Sequence, residues 1–306
     1  MRVLIIGGSG SLGSGLTEHY IGRGHKVTVF SRDPHRQSAL RRRFPNADFV
    51  LGDITRDYSD LVQLCAEHDC VINAAALKLI DLGEIHPEEF VKVNIVGAMN
   101  VARACSEART KIVLFISTDK AVNPINLYGY TKAISESIFI QRGFSVLRYG
   151  NVTDSRSSFL EVWASTLAAG NPIILRRPDP TRFFLTVDRA IKLVDDVLMW
   201  YIPSRIYIPR SLRAFSIEDV ARALGITNVH ERHLLPGEKQ HEVLLGWHEQ
   251  GYQTGDSDLL CIIEKGNTGT LDHDEFCSST ALRMSDREIK DAFLPIWNKQ
   301  TNLAPA

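Results

Sequence analysis

Apolar residues along this chain gather into short runs bounded by glycine and polar residues, at 3–6, 26–30, 47–51, 70–74, 111–117 and 145–148. Runs this short and this uniformly apolar predict strands covered on both faces. Helix-like stretches lie between them, at about 14–23, 35–43, 57–67, 87–108 and 129–142. Strand–helix alternation at such spacing predicts a doubly wound α/β unit, a parallel sheet sandwiched by helices. After Asn151 the pattern loosens. Pro172, Pro178 and Pro180 punctuate a stretch that cannot be one long helix. Helices over 187–199 and 216–224 flank a strand at 205–208, and a polar tail from Gly246 ends in a helix near 285–293. The expected organisation is a sheet domain over 1–152 and a smaller C-terminal lobe with tail over 153–306. Residues 185–215 are expected to interleave with the sheet domain.

Charge and composition narrow the possibilities. Lys+Arg 35 against Asp+Glu 36 leaves a net charge of −1, which disfavours nucleic acid or an anionic membrane as the main partner. No apolar run is long enough to span a bilayer, and 190–202 is interrupted by Lys192, Asp195 and Asp196. The opening residues are too short an apolar stretch for a signal peptide. Five cysteines without CxxC spacing suit a reducing, cytoplasmic setting. His230 and His233 have no further ligands at metal-site spacing, so no metal is expected.

Gly7, Gly10 and Gly13, with Ser9, Ser11 and Leu12 among them, follow the first strand and open a helix. Glycines there make a tight turn and let backbone N–H groups approach a pyrophosphate at the positive helix end. This is the Rossmann-like dinucleotide arrangement. The second strand ends in Ser31-Arg32 rather than in an acidic residue, and Arg36 follows. That pattern favours a 2′-phosphate, hence NADP over NAD. Asp53 and Ile54 fall where an adenine edge would be reached, and Ala74, Ala75 and Ala76 offer small residues for a cofactor to lie against. Thr118 closes the fifth strand, and Tyr128 and Lys132, at i and i+4, share a helix face. An ammonium beside a phenol lowers its pKa, so Tyr128 is a candidate acid/base and Lys132 its partner and a ribose ligand.

Three segments carry a resemblance: Ile116-Ser-Thr-Asp-Lys-Ala-Val-Asn-Pro-Ile-Asn-Leu-Tyr-Gly-Tyr-Thr-Lys132, Ala74-Ala-Ala-Leu-Lys78 and Arg148-Tyr-Gly-Asn-Val152, continued by Thr181-Arg-Phe183 and Pro236-Gly-Glu-Lys239 with His241-Glu242. With these the chain resembles the extended short-chain dehydrogenases/reductases, and within them the soluble UDP-N-acetylglucosamine 4,6-dehydratases that invert C5. The resemblance implies oxidation at sugar C4 with Tyr128 as base, removal of the C5 proton by Lys120, protonation of the departing C6 hydroxyl by Asp119, and hydride return to C6. It further implies Lys78, Asn151, Phe159 and Glu238 as substrate contacts, with Val152, Thr153 and Arg156 bordering the cofactor. Arg182 is added as a cation on a Pro-rich loop within reach of a diphosphate. A homo-oligomer, dimer or hexamer, is expected. Lys120 would have to act neutral and Asp119 protonated.

Some positions depart from the family pattern. Leu235 replaces an arginine expected before Pro-Gly-Glu-Lys, Asn73 replaces a frequent histidine, and Asp154 puts a carboxylate beside the expected cofactor phosphates. A 4-epimerase would use Tyr128 and Lys132 but not the Asp119–Lys120 pair. A non-catalytic NADP-binding sensor would have no use for Thr118, Tyr128 and Lys132.

Overall fold

The computed structural model describes residues 1–155, 158–253, 259–265 and 275–303; Arg156, a cofactor candidate, lies outside them. Fifteen strands are β1 (Arg2–Ile6), β2 (Lys26–Ser31), β3 (Asp48–Leu51), β4 (Cys70–Asn73), β5 (Ile112–Ile116), β6 (Ser145–Leu147), β7 (Ile173–Arg177), β8 (Thr181–Phe183), β9 (Ile206–Pro209), β10 (Ala214–Ser216), β11 (Val229–His233), β12 (Val243–Leu245), β13 (Glu249–Gln253), β14 (Leu259–Lys265) and β15 (Phe276–Cys277). Nine form one sheet in the order β13-β14-β9-β6-β5-β4-β1-β2-β3. From β3 to β9 the pairings are parallel, and β14 and β13 extend that edge antiparallel.

The alternation within β1 shows why the sheet is wound on both sides. Val3 and Ile5 enter one buried cluster with Leu16, Tyr20, Ile191 and Val194. Leu4 and Ile6 enter the opposite one with Leu61, Val101, Phe115 and Phe139. Each face is thus roofed by amphipathic helices, Ser11–Gly22 and Val187–Met199 on one side and Tyr58–Glu67, Ala98–Glu107 and Leu127–Gln141 on the other. The fold is a Rossmann-like doubly wound α/β sheet. Its direction of winding reverses between β1 and β4, which opens a crevice at their carboxyl ends.

The helical stretch expected over 87–108 contains a wide π-type turn, Val91–Gly97, between Pro87–Phe90 and Ala98–Glu107. Asn94 sits in it, buried, and its side chain pairs with both the N–H and the carbonyl of Leu77 at 2.8 and 2.9 Å. The polar tail also differs from expectation, since Glu249–Gln253 and Leu259–Lys265 join the main sheet.

A smaller unit stands beyond the carboxyl edge. The paired strands β8/β10 and β7/β11 pack there with helices Phe159–Ala168, Ile217–Ala223 and Asp286–Leu303. Its core is aromatic: Phe159, Trp163, Phe215 and Phe293 lie with ring centroids 4.9–6.2 Å apart. Among the described residues no helix is long and apolar enough to cross a membrane.

Candidate active site

The glycine turn is built by exclusion of side chains. Gly7 has φ of +79°, and a Cβ there would fall 2.7 Å from the Ala75 backbone nitrogen. A Cβ on Gly13 would stand 2.5 Å from the Gly8 Cα, so helix Ser11–Gly22 can approach β1 only with glycine there. Gly10 takes the N-cap position and provides no side-chain cap, which leaves the helix start able to receive an anion. The turn and the loop Ala74–Ala76 therefore lie against each other at the crevice. Asn73 is fully buried; its Oδ1 accepts from the Ala75 N–H at 3.1 Å, while its Nδ2 has no partner.

At the end of β2 the Ser31 hydroxyl accepts from Gln37 at 3.3 Å. Arg32 is exposed and loosely paired with Asp53 at 4.0 Å, whereas Arg36 is held by Asp33 at 3.0 Å. The Asp53 carboxyl lies below the usual range; burial opposes its charge, but hydrogen bonds from Thr55 and the nearby Arg32 outweigh that. Ile54 is buried, and a Cβ on Gly97 would meet its side chain. Val152 bridges to Leu185, and Thr153 is pinned to the Leu185 carbonyl. Asp154 accepts from the Val187 N–H at 2.9 Å at the start of helix Val187–Met199. That helix end supplies the positive partner which a carboxylate near phosphates requires.

The catalytic candidates converge where β5 runs out. Asp119–Ala121 forms a single 3₁₀ turn, and Gly129 lets helix Leu127–Gln141 begin directly against it, since any Cβ at 129 would collide with the Lys120 carbonyl oxygen. Asn126 caps that helix by accepting from the Gly129 N–H at 2.8 Å. Lys120, 10% exposed, donates to Asp119 Oδ1 at 3.0 Å and to Asn151 Oδ1 at 2.7 Å, and pairs with Glu242 Oε1 at 3.1 Å. These contacts match the three N–H bonds of an ammonium. Burial works to discharge Lys120, yet Asp119 and Glu242 hold it at about 12. Asp119 and Glu242 thus favour the ammonium over the neutral amine in which Lys120 would have to act.

Burial pushes the Asp119 carboxyl up and Glu242 adds to this, against the pull of Lys120. Burial likewise takes the Tyr128 phenol to about 12, with the Lys120 ammonium and a hydrogen bond to Thr118 opposing it. The cation acting on Tyr128 is thus Lys120. Lys132 is itself lowered to about 7 by burial, and its Nζ is bonded to the Ile116 carbonyl at 2.5 Å and lies 3.9 Å from the centre of the Phe115 ring.

The remaining candidates lie around this centre, not all as expected. Lys78 is exposed and reaches the Ser155 hydroxyl at 3.3 Å. Asn151 is occupied by Lys120. Phe159 packs its ring into the aromatic core of the smaller unit. Arg182, expected on an open loop, is buried in β8, because Pro178 and Pro180 precede the strand and leave 181–183 able to pair with β10. Its guanidinium donates to the Thr181 and Gln240 carbonyls and faces Glu238 at 3.6 Å and Glu242 at 3.8 Å. Glu238 also faces Arg176 at 3.6 Å.

Three polar groups were not assigned from sequence: Asn94, Glu242, and the buried Arg148 with Glu136 and Glu249. Arg148 forms a two-bond pair with Glu136 at 2.8 and 2.7 Å and meets Glu249 at 2.8 Å. Ser117 donates to the same Glu136 at 2.5 Å, so the network anchors the catalytic helix beneath the end of β5. A polar residue among apolar helical neighbours is the only sequence signal for Asn94, and Glu242 is marked only as part of the His241-Glu242 pair that carries the resemblance, with no role attached.

Residues 3–264 match the polysaccharide biosynthesis protein family model. An inverting UDP-N-acetylglucosamine 4,6-dehydratase of Campylobacter jejuni is 32% identical, covering 99% of this chain and 96% of that one. A UDP-glucose 4-epimerase of Rickettsia bellii is also 32% identical, over 81% of this chain and 78% of its own. Among solved structures, Pen from Bacillus thuringiensis superposes with TM-score 0.86 at 26% identity, covering 98% of each chain. DesIV, a dTDP-glucose 4,6-dehydratase from Streptomyces venezuelae with NAD and TYD bound, shares the fold with TM-score 0.69 at 18% identity, over 78% of this chain and 87% of its own. On sequence, fold and motif order together, the chain belongs to the polysaccharide biosynthesis protein family, among the nucleotide-sugar dehydratases and epimerases of the extended short-chain dehydrogenase/reductase type.

Proposed function

We propose that this protein is an NADP-dependent nucleotide-sugar 4,6-dehydratase acting on UDP-N-acetylglucosamine with inversion at C5. The observation that carries the reading is the buried Asp119–Lys120 pair beside Thr118 and Tyr128. A 4-epimerase has no proton to move at C5 or C6, and burying such a pair without use is costly.

The cofactor fits the crevice on the side of the glycine turn. Gly7 to Gly13, Ala74 to Ala76, Val152 and Thr153 would line it, and the half-exposed Arg32 suits a 2′-phosphate. When bound, the nicotinamide supplies the hydride acceptor for C4 and the hydride donor for C6. Tyr128 takes the C4 hydroxyl proton, and Thr118 orients that hydroxyl. The resulting ketone acidifies the C5 proton, which Lys120 removes after its ammonium has given one proton up to solvent, a loss favoured when substrate displaces a carboxylate from beside it. Asp119 delivers a proton to the leaving C6 hydroxyl, as its elevated pKa favours. Reprotonation at C5 from the opposite face inverts that centre. Lys78, Asn151 and Glu238 would contact the sugar nucleotide. Assembly with further copies of the chain accords with the exposed Leu82, Ile85, Tyr130 and Ile134.

The test is incubation with UDP-N-acetylglucosamine in deuterated water, followed by NMR. The expected product is a 4-keto-6-deoxy sugar carrying deuterium at an inverted C5. Interconversion of gluco and galacto forms with C6 untouched would establish the epimerase instead. Lys120→Ala should slow C5 exchange by about 10³-fold or more while sparing dinucleotide binding; retained exchange would remove Lys120 from the mechanism.

A further inference from the structure

The group that this reading leaves unexplained is Glu242. It is 2% exposed, follows the Pro-Gly-Glu-Lys run, and reaches the catalytic loop from more than a hundred residues away in sequence. Ser278 secures its backbone: the hydroxyl accepts from the Glu242 N–H at 2.9 Å, and the Ser278 N–H donates to the Glu242 carbonyl at 2.8 Å. Its Oε1 is 3.1 Å from Lys120 Nζ and 3.8 Å from Arg182 Nε. Its Oε2, like Asp119 Oδ2, is buried without a partner. Two carboxylates therefore meet on one ammonium, each with an oxygen left over.

Two carboxylates sharing a buried site do not both stay ionised without enough positive charge around them. We propose that Glu242 is a positioning residue that serves as the standing counter-ion of Lys120 and thereby keeps the catalytic proton on Asp119; this rests on the dehydratase reading, in which Asp119 is the acid. The division of labour follows from the neighbours. Glu242 faces three cations, Lys120, Arg182 and Lys239, and is held below the usual carboxylate range despite its burial. Asp119 has Lys120 beside it, the Glu242 charge facing it, the phenol of Tyr128 near and Lys239 farther off, and its closest other donor is the Thr118 hydroxyl at 2.9 Å. A Cβ on Gly150 would come within 3.2 Å of Asp119 Oδ2, so glycine there spares that oxygen a tight carbon contact.

The experiment follows the Asp119 carboxyl by carbon-13 NMR in protein labelled at aspartate, with Asp119→Asn assigning the signal. In the wild type Asp119 should stay protonated well above the ordinary aspartate range. Glu242→Gln keeps an oxygen for Lys120 but removes the opposing charge, so the Asp119 midpoint should fall by about one pH unit or more, tenfold in proton affinity. Glu242→Asp should hold it near the wild-type value. In turnover, where Asp119 must carry its proton, the loss of kcat at high pH should move to lower pH in Glu242→Gln by the same amount. Should that variant not fold, Lys120→Met leaves two carboxylates with one cation fewer, and the Asp119 midpoint should rise by about one unit. An unmoved Asp119 midpoint in Glu242→Gln, or in Lys120→Met, overturns the role given to Glu242. Midpoint shifts as stated in the variants, with no 4-keto product from the wild type, overturn the dehydratase reading and leave the proton arrangement standing.

Discussion

The glycine turn at residues 7–13 and the cluster around Lys120 both bring polar groups to the carboxyl edge of one sheet, but over very different lengths of chain. The turn is a local device. Gly7, Gly10 and Gly13 act within a single strand–turn–helix, and the Ala74–Ala75 backbone after β4 closes against Gly7. The Lys120 cluster draws on residues 118–128, 151 and 182, and on 238 and 242 in the loop before β12, segments far apart in the sequence. Sterics hold the first region, and opposed charges hold the second. A change at the turn is thus expected to act on cofactor binding, and a change in the Lys120 cluster on proton positions and stability together.

Three substitutions would break or sharpen this contrast. The largest effect is expected from Arg148→Met, which strips two buried carboxylates, Glu136 and Glu249, of their partner. Removing one member of such a pair costs about 3–5 kcal/mol, read as a fall in unfolding free energy in urea; a loss below about 1 kcal/mol would show that the network is dispensable. Next is Arg32→Ala at the cofactor end. Losing a charge-assisted phosphate contact worth about 1.5–3 kcal/mol should weaken NADP binding about 10- to 100-fold with little change for NAD. Equal losses for both dinucleotides, by calorimetric titration, would remove the 2′-phosphate contact. The smallest effect is expected from Asp154→Ala, which takes a carboxylate from the start of helix Val187–Met199. About 0.5–1 kcal/mol of stability should go, with dinucleotide affinity kept; a drop in affinity would mean that Asp154 touches the cofactor.

The same contrast explains what could be read from the chain before its fold was known. Strands β1 to β6 and the membership of β9 in the main sheet follow from apolar runs, because burial on both faces leaves a strong mark on composition, whereas the place of β9 beside β6 does not. The glycine spacing and the Tyr128–Lys132 spacing are short-range patterns and were equally legible, but that Lys120 rather than Lys132 acts on the Tyr128 phenol was not. The antiparallel addition β13–β14 was not, since its first strand, Glu-Gln-Gly-Tyr-Gln, is nearly all polar. Nor were β7, β8, β10 and β11: β8 and β10 have three residues each, and β11 is mostly exposed. Arg182 illustrates the limit at the site. A cation after two prolines reads as a surface arginine, and only the pairing of β8 with β10 turns it inward onto Glu242. The resting charge of Lys120 was hidden for the same reason, because one of its two carboxylates comes from residue 242.

Arg148 carries a consequence for how the chain is made. Its Nη1 is partnered by Glu249 and the Leu244 carbonyl, both contributed by late residues, while Glu136 and Arg148 itself emerge from the ribosome much earlier. A nascent chain that has passed residue 148 can assemble the parallel strands up to β6, but it buries a guanidinium with one side unsatisfied until residues 244–249 arrive. The sheet domain is thus completed by its own C-terminal third, and a ribosome stalled short of Glu249 should hold a product that proteases still recognise as unfinished.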